Sequence, residues 1–275
     1  MKTRLSFALA LALLCVAQLA SASSSTLYGI EYSTGTGFYN VNQSTGAIAL
    51  IGNTGNPATG DLTSNLTNTI WTPDMANDAL LTVNPTTGAI TSTTAIMSPA
   101  GGPIPIVSLA WDPVTKVLYG NTSVGFGGTQ ADALYKIDPT TGLATLLGTI
   151  GYDEVYALGF NNNGTLYGIS QGSNELLTID TGDGAGTGVA GVGLSAMFDL
   201  AFRPGDDTMF VADSGTEALY TMDPTTGAVT LVGPYGSDAN VVGLAFLQTP
   251  EPGTFVLLGT GLLGLLGTIR RKRSA

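Results

Sequence analysis

Leu134-Tyr135-Lys136-Ile137-Asp138-Pro139-Thr140-Thr141-Gly142-Leu143-Ala144-Thr145-Leu146-Leu147-Gly148 decides the fold. Two short runs rich in β-formers flank a turn in which Pro139 presets φ and Gly142 supplies the left-handed position that closes a hairpin. The turn recurs at Asn42 to Gly46, Asn84 to Gly88, Asp180 to Gly184 and Asp223 to Gly227, at spacings of 42, 54, 42 and 43 residues. The flanking strands recur with it, as in Leu219-Tyr220-Thr221-Met222 before one copy and Val229-Thr230-Leu231-Val232-Gly233 after it.

Two further strands fill each period. An aromatic strand reads Leu27-Tyr28-Gly29, Ile70-Trp71, Leu118-Tyr119-Gly120, Leu166-Tyr167-Gly168 and Met209-Phe210-Val211. Before four of these stands a small apolar strand: Asp61-Leu62-Thr63, Ser108-Leu109-Ala110-Trp111, Ala157-Leu158-Gly159-Phe160 and Asp199-Leu200-Ala201-Phe202. Asp112-Pro113, Asn161 to Gly164 and Arg203 to Asp206 supply the hairpin turns between them. Four antiparallel strands in some 42 to 45 residues is the period of a propeller blade. The first repeat lacks its small strand, and the chain has a spare one at Val242-Gly243-Leu244-Ala245-Phe246. The expectation is therefore all-β: a single β-propeller over 23–249, of five four-stranded blades, the C-terminal strand closing the first, with repeats at about 27–61, 62–107, 108–156, 157–198 and 199–247. A stacked solenoid such as a β-helix is the competing reading, although its coils usually repeat at shorter periods. The Leu-Tyr-x-Ile-Asp-Pro-Thr-Thr-Gly repeats resemble those of bacterial propellers loosely akin to surface-layer and quinoprotein-like ones.

Composition narrows the function. The region 23–249 holds nineteen of the twenty acidic residues and only three of the nine basic ones (Lys116, Lys136, Arg203), a net charge near −16. Nucleic acid is thereby an implausible partner. The chain has no histidine, and its single cysteine, Cys15, lies in an apolar leader, which excludes disulfides, thiolate chemistry, Cys/His zinc sites and a histidine base from the mature domain.

Both termini carry targeting patterns. Lys2 and Arg4 precede an apolar run from Leu5 to Leu19, and Ala20-Ser21-Ala22 offers signal peptidase a small-x-small site, so 1–22 reads as a signal peptide. Leu14 before Cys15 disfavours lipidation. At the other end Pro250-Glu251-Pro252 precedes a glycine-dotted apolar stretch, 253–269, and then Arg270-Arg271-Lys272-Arg273. Seventeen residues give roughly 25 Å of helix, a marginal span, and the basic cluster stays on the cytoplasmic side. Pro250 and Pro252 keep the junction extended, as a protease requires. An ordinary C-terminal anchor is the simpler alternative. The three elements in this order resemble the PEP-CTERM tail that exosortase-type transpeptidases process in Gram-negative bacteria. The resemblance implies an inner-membrane precursor that is cleaved and sent to the cell surface or outside, with exopolysaccharide or surface proteins as partners.

Candidate chemistry is sparse. In a propeller the residue before each repeated inner-strand leucine faces the axis; here that set is Asp61, Ser108, Ala157, Asp199 and Gly243. Asp61 and Asp199 are candidate Ca²⁺ ligands, although two carboxylates do not fill a calcium shell and aspartates at strand starts often cap backbone amides instead. No other cofactor is implied. Asp180 to Gly184 lacks the glutamate of a calcium loop and reads as a turn, Asp206-Asp207 reads as solvated charge, and the glycine-rich 182–193 lacks the lysine of a phosphate loop. The longer spacing puts extra loop at 97–105 and 124–132. Trp71, Tyr119, Tyr167 and Phe210 read as inter-blade packing, whereas Tyr32, Tyr39, Tyr152, Tyr156 and Tyr235 fall outside that register and could face sugar. Asn42, Asn65, Asn121 and Asn163 head glycosylation sequons. The residues favour a non-catalytic exported propeller with a binding or structural role. A metal-dependent hydrolase or lactonase-like propeller needs at least three converging oxygen ligands, and a quinone-dependent oxidoreductase needs basic and tryptophan residues near the axis.

Overall fold

The runs on either side of each Asx-x-x-x-Gly turn pair as antiparallel strands in the computed structural model, which describes residues 25–32, 36–126, 131–236 and 239–248. The expected signal peptide, Pro250-Glu251-Pro252, 253–269 and 270–273 lie outside the described residues. No helix among the described residues is long and apolar enough to cross a membrane.

Five four-stranded antiparallel sheets form the blades of a β-propeller. Blade 1 holds β1 (Ser25–Glu31), β2 (Gly37–Val41) and β3 (Ile48–Asn53). Blade 2 holds β4 (Thr63–Ser64), β5 (Ile70–Asp74), β6 (Ala79–Val83) and β7 (Ile90–Ala95). Blade 3 has β8 (Ile106–Trp111), β9 (Leu118–Thr122), β10 (Ala133–Ile137) and β11 (Ala144–Thr149). Blade 4 has β12 (Val155–Phe160), β13 (Leu166–Ser170), β14 (Glu175–Ile179) and β15 (Gly186–Gly191), and blade 5 has β16 (Met197–Phe202), β17 (Met209–Asp213), β18 (Ala218–Met222) and β19 (Val229–Pro234). The last strand, β20 (Val241–Gln248), adds to the inner side of β1 in the order β20-β1-β2-β3 and closes the ring. Ser25–Leu247 forms one compact unit.

One strand is shorter than its repeat suggests. The inner strand of blade 2 is only Thr63–Ser64, because the Asn65 side chain gathers the amides of Thr67, Asn68 and Thr69 at 3.0 Å and turns the chain, with Leu66 at a φ of 65°. The inserted segment after β7 bridges Met97 to Pro103, and a short 3₁₀ helix, Val124–Phe126, follows β9.

The core lies between blades. Each of five apolar clusters joins neighbours, as where Leu27 and Val41 of blade 1 pack with Phe210 and Leu219 of blade 5. Four interfaces carry the aromatic pair expected from the repeat: Trp71 with Trp111, Tyr119 with Phe160, Tyr167 with Phe202 and Phe210 with Phe246, at centroid distances of 5.2 to 5.7 Å. At the fifth, Ser64 occupies the place of the second ring. Tyr28 instead stacks on Phe38 of its own blade, and the Ser64 hydroxyl donates to the Phe246 carbonyl.

A second repeated contact holds the outer rim. The residue near the end of each fourth strand meets the turn glycine of the next blade: Gly52 with Gly88, Ala95 with Gly142, Gly148 with Gly184, Gly191 with Gly227 and Gly233 with Gly46. The turn glycines have φ between 67° and 81°, and a Cβ on any of them would press on backbone of the neighbouring blade. Turn conformation and blade packing therefore both demand the same glycine.

Candidate functional site at the ring axis

The inner strands present an unpaired edge to the axis, so their amides need partners from somewhere other than a ladder. Asp61 and Asp199 supply them, and both residues are fully buried. Asp61 accepts the amide of Leu62 through Oδ1, at 2.6 Å, and that of Leu109 in blade 3 through Oδ2. Asp199 does the same one blade pair away, accepting Leu200 through Oδ1 at 2.6 Å and Leu244 of β20 through Oδ2 at 2.5 Å. Each carboxyl thus joins its own inner strand to that of the next blade. The two carboxyls also lie close enough to perturb one another's ionisation.

The aligned set Asp61, Ser108, Ala157, Asp199 and Gly243 does meet at the axis, with the first four wholly buried. Gly243 is small because β20 runs against the backbone there: a Cβ would lie 2.7 Å from the Asp61 carbonyl carbon and 2.8 Å from the Leu62 nitrogen. Ser108 Oγ makes no well-formed hydrogen bond but lies close enough to Asp61 to favour its charged form. Desolvation dominates the electrostatics. Burial pushes Asp61 up to about 6 against the lowering pull of Asp199 and the two amides. Burial, followed by the Asp61 charge, pushes Asp199 well above the ordinary carboxylate range. The Tyr235 phenol, nearby in the loop after β19, is raised by burial and then by the charges of Asp213 and Asp199.

This donor set does not fit calcium. The ion takes six to eight oxygens, and here there are two carboxyls whose four oxygens each already accept an amide. Among the described residues no three His, Cys, Asp or Glu side chains come together. Beside the pair, at the ends of the inner strands, is a cavity of about 50 Å³ whose lining includes Leu62, Ser64, Trp111, Phe160, Phe202 and Phe246. Pockets for drug-sized ligands run to roughly 300–1,000 Å³. The cavity has room for a few waters and not for a sugar ring.

A second set of polar residues escaped the sequence reading. The last residue of every second strand is polar and buried: Glu31, Asp74, Thr122, Ser170 and Asp213. Each caps the hairpin that follows, through Gly37 N at 2.9 Å, Ala76 N at 3.1 Å, Ala133 N at 3.2 Å, Ser173 N at 3.1 Å and Thr216 N at 2.9 Å respectively. The signal was present as a polar residue four places after each repeated Leu, Ile or Met, but the residue type varies from blade to blade and hid the period. Asp132, in the long loop of blade 3, likewise joins Val124 N at 2.8 Å to Val155 N of blade 4 at 2.7 Å.

Other candidates resolve into structure. Asp180 closes its own turn, accepting Gly182 N at 2.7 Å. Asp206 pairs with Arg203 at 2.6 Å, and the hydrogen bonds from that guanidinium hold its carboxyl down to about 2. Asp207, read from sequence as solvated charge, accepts Asn162 N of blade 4 at 2.7 Å. Tyr235 is 1% exposed and cannot face a sugar, and Tyr39 donates to Glu31 at 2.8 Å. Asn121 is buried and donates to the Val155 carbonyl at 2.7 Å, so that sequon is inaccessible in the fold.

The closed ring is similar to a chain from a crystal structure of a nidogen/laminin complex, at a TM-score of 0.55 and 10% identity, covering 81% of this chain and 98% of that one. It also overlaps, at a TM-score of 0.46 and 12% identity, a structural genomics protein of unknown function from Bacteroides thetaiotaomicron, covering 76% and 50% of the two chains. At such identities the likeness is one of fold. No curated protein matches the sequence. A repeat family does, over residues 98–265 and so more than half the length: the chain belongs to the family described as "Repeat of unknown function (DUF6923)".

Proposed function

We propose that this is an exported, non-catalytic propeller with a binding or structural role at the cell surface or in an extracellular polysaccharide matrix, processed at Pro250-Glu251-Pro252 by an exosortase-type enzyme. The observation that carries the reading is the use made of the buried acids. Asp61, Asp199, Glu31, Asp74 and Asp213 each hold backbone amides in place, which is the work of a scaffold rather than of a proton-transfer or metal site. The nidogen/laminin likeness supports it in fold alone.

The test is in cells. Replacing Pro250, Glu251 and Pro252 with alanines should leave a longer, membrane-associated chain in an exosortase-bearing host, while the unaltered chain is shortened and leaves the inner membrane. Equal release of both forms, read by fractionation and mass of the C-terminal peptide, removes the sorting reading. A binding role is tested on the same released domain: retention on the host's purified exopolysaccharide supports a matrix role, and elution with the void volume sends the search to surface proteins.

A further inference from the structure

Two carboxyls buried side by side with no cation beside them keep a proton between them, because two dry carboxylates repel and neither has a donor to offer the other. Here that contact sits where the ring is fastened. Through Asp61 it touches the inner strands of blades 2 and 3, and through Asp199 that of blade 5 and, by way of Leu244, the closing strand β20. Only blade 4, with Ala157 at the equivalent position, has no share in it.

We propose that the ring is locked by a proton: Asp61 and Asp199 share it, it takes the place a bridging cation would fill, and its loss loosens the inner strands that the pair holds together. Among the described residues the remainder of the axis offers nothing to take its place. Ser108, Ala157 and Gly243 carry no ionisable group, and the nearest titratable neighbours, Tyr235 and Asp213, bring no positive charge. The basic residues of the domain are engaged or remote. Arg203 pairs with Asp206, Lys116 donates to the Pro113 carbonyl, and Lys136 is exposed on β10.

The direction in pH follows. Unfolded, both carboxyls ionise near the ordinary aspartate value, whereas in the ring burial holds them protonated to higher pH. The folded chain therefore binds more protons, its extra stability is complete below the unfolded value, and it is lost as pH rises through the folded ones. While Asp199 keeps its proton and Asp61 is ionised, one proton separates the two states. The unfolding constant then grows about tenfold per pH unit.

The absence of histidine makes this legible, since few other groups in the chain titrate between pH 5.5 and 8. Asp132, whose carboxyl burial also raises, is the one internal rival among the described residues. The experiment is urea unfolding of the full chain across that range, followed by the fluorescence of Trp71 and Trp111, for the unaltered protein, Asp132→Asn and the double variant Asp61→Asn with Asp199→Asn. The expected result is a stability that falls as pH rises, by up to about tenfold per unit, in the first two and a flat profile in the third, whatever its absolute stability, with millimolar calcium chloride changing none of them. A flat profile in the unaltered protein, a slope that survives in the double variant, or calcium rescue at pH 8 overturns the proposal. Should the double variant not fold, the carboxyl-carbon NMR titration of Asp61 and Asp199 decides, ordinary aspartate values overturning it and raised ones upholding it.

Discussion

A chain that ends at Asn240 is expected to lose cooperative folding altogether, whereas one that ends at Gln248 keeps it. The difference is β20. Val241, Val242, Leu244, Ala245, Phe246 and Leu247 are all at most 5% exposed, and all but Val242 belong to the clusters that join blade 1 to blades 5 and 2. At about 1.5–3 kcal/mol for each large side chain their burial is worth roughly 10 kcal/mol, comparable with the whole stability of an ordinary domain. Removing the strand also bares the inner edge of β1, strips Phe210 of its partner Phe246 and leaves the Asp199 and Ser64 side chains without Leu244 N and the Phe246 carbonyl. Circular dichroism melts of the two truncations provide the measurement. A sigmoidal transition in the shorter chain, within a few degrees of the longer, would mean that the ring does not depend on its closing strand.

Gly142→Val should cost about 3–5 kcal/mol, one of the largest single effects available in the domain. A left-handed φ of 73° accounts for about 1–2 kcal/mol of that. The rest comes from the neighbour: a Cβ at Gly142 would run into the Ala95 carbonyl of blade 2, a backbone atom that cannot swing aside. It would also disturb the pairing in which Met97 N donates to the Gly142 carbonyl at 3.0 Å and Ala144 N to Met97 at 2.8 Å. Gly151→Val is the control, since that glycine has a φ of 78° and no atom within 4 Å of where its Cβ would stand. Urea midpoints for the two should differ by at least 1–2 kcal/mol in unfolding free energy; equal losses would show that the turn conformation alone sets the cost and that the inter-blade contact contributes nothing.

That pair of glycines shows how far the sequence could be read. The Asp-Pro-Thr-Thr-Gly turn is local chemistry, so its recurrence fixed the strands on either side, and the reading of Gly142 as left-handed needed nothing beyond the pentapeptide. The contact with Ala95 joins residues 47 apart and could not be inferred from either segment. The aromatic register behaved the same way. Trp71, Tyr119, Tyr167 and Phe210 were legible as packing residues, but that the Tyr28 interface would lack its pair followed only from Ser64 arriving where a ring stands in the other blades.

Local periodicity, then, was enough by itself for the class, the blade count and the closure by the last strand, because hairpin turns and strand patterning act over a few residues and repeat five times. Tertiary structure alone decided the roles of the acids. Asp61 and Asp199 lie 138 residues apart and looked like two oxygen ligands short of a metal site. Folding brought them into contact where five strand edges meet without ladder partners, and in that dry axis the backbone amides and a shared proton take up the oxygens that a cation would have required.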